Sequence, residues 1–158
     1  MLKPGDSVQD FTLADGEGNS ISLSDFKGKR VIVYFYPRDN TPGCTTEACS
    51  FRDEYERFTD RDTVVLGISG DSQKSHQNFK TKYGLPFHLL SDTEKEVIKA
   101  FGAWGEKKNY GKVYEGLLRS TFILNRDHVV EHVFEKVKTK DHALAVLSEL
   151  DRLDTDSL

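Results

Sequence analysis

The chain has 158 residues, 37% hydrophobic and 30% charged, which is typical of one globular domain spanning residues 1–158. A net charge of −4, and no apolar run near the roughly 18 residues of a membrane-spanning helix, give no reason to expect nucleic acid or a membrane as partner. Residues 1–6 lack the apolar core of a signal peptide, so we expect a cytoplasmic protein unless a targeting peptide has been removed.

Strands and helices alternate in the first half of the chain. Runs of β-branched and aromatic residues predict buried strands, and apolar residues at steps of three and four predict helices. In chain order we predict a hairpin with strands at 11–13 and 21–23, a strand at 31–35, a helix from Cys44 to Phe58, a strand at 64–69, and a helix that Ser72 caps and that ends at Tyr83.

The second half ends in a strand pair and an amphipathic helix. In chain order we predict a strand at 87–90, a helix at 93–101, a long glycine-rich loop at 102–116, strands at 120–124 and 129–134, and a helix that starts at Thr139 or Asp141. This order predicts an α/β fold: a thioredoxin-like three-layer sandwich whose mixed central sheet is flanked by helices and carries an N-terminal hairpin.

Both cysteines, Cys44 and Cys49, lie where a buried strand turns into a helix. Two cysteines are too few for a disulfide-rich scaffold or an all-cysteine zinc site, and a close pair in a reducing compartment is more often catalytic, redox-active or metal-binding than structural. Two buried, inert thiols remain the plain alternative. Cys44 is the candidate thiolate, because free N–H groups and the positive dipole end of a helix N-terminus favour its charged form.

The spacing of the two cysteines bears on whether they can bond. Residues five apart in an α-helix differ by about 140° and about 7.5 Å along the axis, which places their Cα atoms roughly 8.6 Å apart. That separation exceeds the limit of about 7 Å for a disulfide. A Cys44–Cys49 disulfide therefore requires the first turns of the helix to unwind.

Polar residues around Cys44 could form a cradle for two oxygen atoms. Thr41 offers a hydroxyl, and Arg38 or the distant Arg119 offers a permanent positive charge with a fork of donors. Each has a simpler explanation: helix capping for Thr41, and a surface ion pair for Arg119. Pro37, like the proline at position 42, also forms a turn.

At these residues the chain resembles the peroxiredoxins, the thiol peroxidase branch of the thioredoxin-fold superfamily. Their pattern Pro-x-x-x-Thr-x-x-Cys appears as Pro37, Thr41 and Cys44, and Arg119 before Ser-Thr-Phe-Ile matches their distal arginine. A second cysteine five positions after the first, at Cys49, is similar to the Q-type group, also called bacterioferritin comigratory proteins.

The resemblance implies a function and a site. It implies a monomeric peroxidase for hydrogen peroxide and organic hydroperoxides that needs no cofactor or metal and is recycled by thioredoxin. Cys44 would become a sulfenic acid and Cys49 would resolve it. The Cys44 N–H, Thr41 and Arg119 would hold the peroxide, while Pro37 shields the thiolate. Tyr36 and Glu47 would tune the site, although packing and helix-dipole complementation explain them as well.

Two other functions compete with this one. A thiol–disulfide oxidoreductase is disfavoured by the spacing of the cysteines, since Cys-x-x-Cys pairs exchange disulfides with little motion. A redox sensor would pass oxidation to a partner when the helix unwinds.

A metal site at His128 and His132 is disfavoured, because no cluster of carboxylates and histidines accompanies them.

Overall fold

The structure is a computed structural model that describes residues 1–156; positions 157 and 158, the end of the predicted domain, lie outside the described residues. The strands are β1 (Thr12–Asp15), β2 (Ser20–Ser22), β3 (Arg30–Phe35), β4 (Thr63–Ser69), β5 (His88–Ser91), β6 (Trp104–Asn109), β7 (Lys112–Leu117), β8 (Ser120–Leu124) and β9 (Val130–Phe134). The helices are α1 (Pro42–Asp53), α2 (Tyr55–Thr59), α3 (Gln73–Tyr83), α4 (Glu96–Ala100) and α5 (His142–Asp156), with a short 3₁₀ helix at Leu23–Phe26.

A mixed sheet of seven strands, in the order β2-β1-β5-β4-β3-β8-β9, forms the centre of the fold. Strand β3 runs parallel to β4 and antiparallel to β8, and β4 runs parallel to β5. The hairpin β1–β2 joins this sheet through β1, which pairs with β5. The loop that leaves β3 therefore starts in the middle of the sheet.

The two faces of β3 supply two separate cores. Ile32 and Tyr34 pack on one face under α1, α2, α3 and α5, whereas Val31, Val33 and Phe35 pack on the other face with α4 and the N-terminal segment. Successive side chains of a strand point to opposite faces, and both faces of β3 are buried. The strand is therefore continuously apolar from Val31 to Phe35.

The predicted α/β sandwich with a mixed sheet and an N-terminal hairpin is confirmed. The predicted loop at 102–116 is wrong, because β6 and β7 form a separate hairpin there. Its strands are largely exposed, so they lack the apolar alternation that marks a half-buried strand. Its turn is marked by Tyr110 and Gly111, whose φ values of 51° and 77° suit a two-residue hairpin turn.

Helix boundaries differ modestly from the prediction. The expected helix from Cys44 to Phe58 is interrupted at Glu54, whose φ and ψ of −107° and 10° separate α1 from α2. The helix expected at 93–101 is limited to α4, whereas α3 has the predicted Ser72 cap and ends at Tyr83, before Gly84. Within residues 1–156, no helix combines the length and the apolar character needed to cross a membrane.

Candidate active site

Cys44 lies in the first turn of α1, as predicted. Thr41 precedes Pro42 and has extended φ and ψ values of −92° and 155°, because a residue before proline disfavours the helical region. The helix therefore begins at Pro42, where a missing N–H costs nothing. The Cys44 side chain is only 1% exposed and belongs to the core under α1, so the thiol is held within the protein.

Cys49 is on the same helix and is half-buried. Both cysteines are free thiols in this structure. Because α1 runs without a break from Pro42 to Asp53, the two Cα atoms keep the separation of roughly 8.6 Å expected of a helix. The structure is therefore that of the reduced, helical state.

Arg119 contacts Cys44 although the two residues are distant in the sequence. Strand β8 pairs with β3 so that Ser120 lies opposite Phe35, which brings Arg119 to the point where the chain leaves β3 for α1. Arg119 Nη2 donates to Cys44 Sγ at 3.3 Å, and Nη1 donates to Glu47 Oε1 at 2.6 Å. The arginine thus forms an ion pair, as the plain alternative supposed, but with a buried carboxyl group beside the thiol.

Glu47 is the second ionisable group of the site. It lies three residues after Cys44 on α1 and is completely buried. Its Oε2 atom has no hydrogen-bond partner among residues 1–156. Burial raises the pKa of Glu47 from its ordinary value of 4.5 to about 7, although Arg119 opposes the shift. Burial therefore disfavours the charged form of Glu47, whose partner Arg119 also donates to the Cys44 sulfur.

His142 closes this network on the side of α5. Its Nε2 atom is 2.8 Å from Thr121 Oγ1 and 4.0 Å from Glu47 Oε2. Burial, with a smaller contribution from the charge of Arg119, lowers the pKa of His142 from 6.5 to about 4. The imidazole is therefore neutral at physiological pH and adds no second positive charge to the site.

The shifts of Glu47 and His142 affect stability in opposite directions over the same pH range. Between pH 4.5 and about 7, unfolding releases a proton from Glu47, because its pKa is raised in the fold; stability therefore falls as pH rises. Between pH 6.5 and about 4, unfolding lets His142 bind a proton, because its pKa is lowered in the fold; stability therefore falls as pH falls. The two contributions offset each other between about pH 4.5 and 6.5.

We expect single substitutions to reveal how each of these two groups makes the free energy of unfolding depend on pH. In Glu47→Gln, the free energy of unfolding should rise from pH 4.5 to 6.5 more steeply than in the wild type, while His142→Gln should show the opposite change. Each slope should differ from the wild type by up to about 1.4 kcal/mol per pH unit. Urea unfolding at four pH values in this range measures the effect. Parallel curves for the three chains would show that neither group has a shifted pKa.

The remaining predicted residues lie in the loop between β3 and α1. The Thr41 hydroxyl donates to the Arg38 carbonyl at 2.9 Å and makes no capping bond, so helix capping by its side chain is not its role. Pro37 and the Arg38 side chain are exposed. Of the two arginines considered for the cradle, Arg119 is therefore the one in contact with Cys44.

Among residues 1–156, one cluster has the composition of a metal site. Ligand atoms of Asp39, Asp71 and His76 lie within 4.8 Å of one another. These residues are hydrogen-bonded to each other and to their neighbours, which explains the cluster without an ion. His128 and His132 have different partners, the Phe26 carbonyl and the Glu149 carboxylate.

Comparison with known proteins identifies relatives along nearly the whole chain. The model of the AhpC/TSA family matches residues 4–133. Peroxiredoxin Bcp of Bacillus subtilis (strain 168) is 47% identical over 149 residues, which cover 94% of this chain and 95% of that protein. Peroxiredoxin Bcp of Escherichia coli (strain K12) is 44% identical over the same length, covering 94% of this chain and 96% of that protein.

Solved structures show the same fold. The bacterioferritin comigratory protein of Xanthomonas campestris, studied for its alkyl peroxide reduction activity, has a TM-score of 0.85 and 39% identity over 90% of both chains. A cysteine mutant of PrxQ from Xylella fastidiosa has a TM-score of 0.91 and 34% identity over 98% of both chains.

Proposed function

Since the chain belongs to the AhpC/TSA family and is a peroxiredoxin, we propose that Cys44 reduces hydrogen peroxide and alkyl hydroperoxides and that Cys49 then resolves it. The observation that carries the proposal is the hydrogen bond from Arg119 to the buried Cys44 sulfur in the first turn of α1. The alkyl peroxide reduction activity of the Xanthomonas campestris relative supports the wider substrate range.

The first step oxidises Cys44. Its thiolate attacks one peroxide oxygen, so that an S–O bond forms and the O–O bond breaks. The sulfur loses two electrons and becomes a sulfenic acid, while the other oxygen leaves as hydroxide or alkoxide and takes up a proton. Arg119 and the Cys44 N–H stabilise the negative charge that develops on the oxygen atoms in the transition state. Such electrostatic stabilisation is usually the largest contribution to the rate enhancement of an enzyme.

Thr41 has a more specific part than the sequence suggests. Its hydroxyl hydrogen is used in the bond to the Arg38 carbonyl, so the oxygen presents lone pairs. We assign Thr41 as the acceptor for the O–H of the peroxide rather than as a donor. Together with Arg119 it aligns the O–O bond with the sulfur, while Pro37 shapes the loop.

The second step forms the disulfide. The Cys49 thiol attacks the sulfenic acid, an S–S bond forms and water leaves. Because the helix holds the two residues too far apart, α1 must unwind locally before they bond. An external dithiol, which we take to be thioredoxin, then reduces the disulfide and restores both thiols. We place this cycle in a monomer of one domain in the cytoplasm, where an intramolecular pair needs no second subunit and thiols are kept reduced.

A steady-state assay tests the function. With NADPH, thioredoxin reductase and thioredoxin, we expect the protein to consume many equivalents of hydrogen peroxide. A sensor would stop near one equivalent, and a thiol–disulfide oxidoreductase would reduce insulin disulfides and leave peroxide untouched. Either of those outcomes would refute the peroxidase cycle.

A further inference from the structure

A buried polar cluster fixes the loop that carries Pro37 and Thr41. Asp39, in the middle of this loop, is 7% exposed although its side chain is a carboxyl group. Tyr36 donates its hydroxyl to Asp39 Oδ1 at 2.6 Å, and Ser75 donates to Oδ2 at 2.8 Å. His76 Nδ1 lies 2.7 Å from the same Oδ2. These partners hold the side chain of Asp39 in one position.

The backbone of Asp39 is held as well. Its N–H donates to Asp71 Oδ2 at 2.8 Å, and the Ser69 hydroxyl donates to the same oxygen at 2.7 Å. The next residue, Asn40, has a φ of 58°, and its side chain accepts hydrogen bonds from Lys82 and the Tyr83 hydroxyl. The loop is thus tied to the end of β4 and to α3.

Hydrogen bonding constrains the protons of the His76–Asp39 pair. His76 is completely buried, and its Nε2 lies 3.0 Å from the Leu90 carbonyl, which can only accept, so Nε2 carries a proton. The close contact of Nδ1 with Asp39 Oδ2 then needs a second proton, on the ring or on the carboxyl. In both arrangements the pair is neutral overall, so it can be buried without an uncompensated charge.

None of these partners belongs to α1. Ser69 is the last residue of β4 and Asp71 follows that strand, Ser75 and His76 belong to α3, and Leu90 belongs to β5. The C-terminal end of α1, which lies beyond both cysteines, is itself hydrogen-bonded to the end of α3, because Arg52 Nη1 donates to the Tyr83 carbonyl at 2.9 Å. The hydrogen bonds of Asp39 are therefore made without α1, so unwinding of α1 around its two cysteines need not break them.

We propose that Asp39 and His76 are positioning residues for the peroxide reaction, which fix the Pro37–Thr41 half of the peroxide site on α3 while α1 winds and unwinds. The inference rests on the proposed function. Thr41 is coupled to this loop by its bond to the Arg38 carbonyl, so a shift of Asp39 moves the hydroxyl that aligns the peroxide. The pair should therefore matter for oxidation of Cys44 and not for the later formation of the disulfide.

The experiment separates those two steps. Loss of the Cys44 thiol after rapid mixing with hydrogen peroxide is measured in a Cys49→Ser background, and disulfide formation is measured by acid quench and thiol alkylation with Cys49 intact. Asp39→Ala should slow oxidation about 100-fold, the cost of misplacing an aligning group by about 1 Å. Disulfide formation, measured at a peroxide concentration high enough that oxidation of Cys44 is not rate-limiting, should stay within about twofold, because the hydrogen-bond partners of Asp39 lie outside α1.

A conservative variant tests the role of the hydrogen bonds. In Asp39→Asn, the amide can donate to a neutral His76 and still accept from Tyr36, so oxidation should recover to within about fivefold of the wild type. If Asp39→Ala fails to fold, Ser75→Ala removes one donor and should slow oxidation about tenfold. Lys74→Ala, on the exposed face of α3, is the matched control and should leave both steps unchanged.

Three results would overturn the inference. These are oxidation at the wild-type rate in Asp39→Ala or Ser75→Ala, no recovery in Asp39→Asn, and an equal slowing of both steps, which would indicate general damage to the fold. If the wild-type Asp39 chain itself fails to lose the Cys44 thiol with peroxide, the proposed function fails instead, so the two failures are distinguishable.

Discussion

Replacement of Cys44 by serine should abolish the consumption of peroxide, reducing turnover with thioredoxin to the uncatalysed background. A serine hydroxyl in this position fits the space of the thiol but remains protonated, and the hydrogen bond from Arg119 is far too weak to ionise it. Because the exchange of sulfur for oxygen is small, far-UV circular dichroism should stay unchanged. The NADPH-coupled assay and a single-turnover assay measure the loss.

Cys49→Ser is the matched control, since it removes the other thiol of α1. That variant should still consume one equivalent of peroxide and then stop, because its sulfenic acid has no partner within the chain. Continued turnover by Cys44→Ser would assign the nucleophile to Cys49. Unimpaired cycling of Cys49→Ser would assign resolution to a thiol outside the chain.

The local part of the site can be read from the sequence. Thr41, Cys44 and Cys49 belong to one continuous segment, and the proline at position 42 determines where the helix starts. Helix geometry then determines the distance between the Cα atoms of the two cysteines without further information. The position of Glu47 near Cys44 can also be predicted, because residues three apart share a helix face. The complete burial of its carboxyl group cannot be predicted in this way.

The distant part of the site depends on tertiary structure. Arg119 could be assigned only through a family resemblance, because the pairing of β8 with β3 brings it to Cys44. Likewise, His142 approaches Glu47 from α5, and His76 approaches Asp39 from α3. An isolated histidine in a sequence carries no sign of which carboxyl group it will face.

Substitution of Arg119 should have the second-largest effect on the reaction with peroxide. One guanidinium donates to the Cys44 sulfur through Nη2 and to Glu47 through Nη1, and a lysine ammonium cannot reproduce both directions from one nitrogen. We expect Arg119→Lys to lower the rate constant for Cys44 oxidation about 100-fold and Arg119→Met about 1,000-fold. Stopped-flow competition for hydrogen peroxide measures the constant.

Arg38 provides the control for this prediction. It carries the same charge in the loop before α1, but its side chain is exposed, whereas Arg119 is in contact with Cys44. Arg38→Met should therefore change the rate constant by no more than about twofold, since exposed charges are screened by solvent and salt. If the two methionine variants lost equal activity, the effect would come from the general positive potential of the loop. A selective loss in Arg119→Met would instead depend on the directed bonds of its guanidinium, because of these two arginines it is Arg119 that donates to both the nucleophile and the buried carboxyl group.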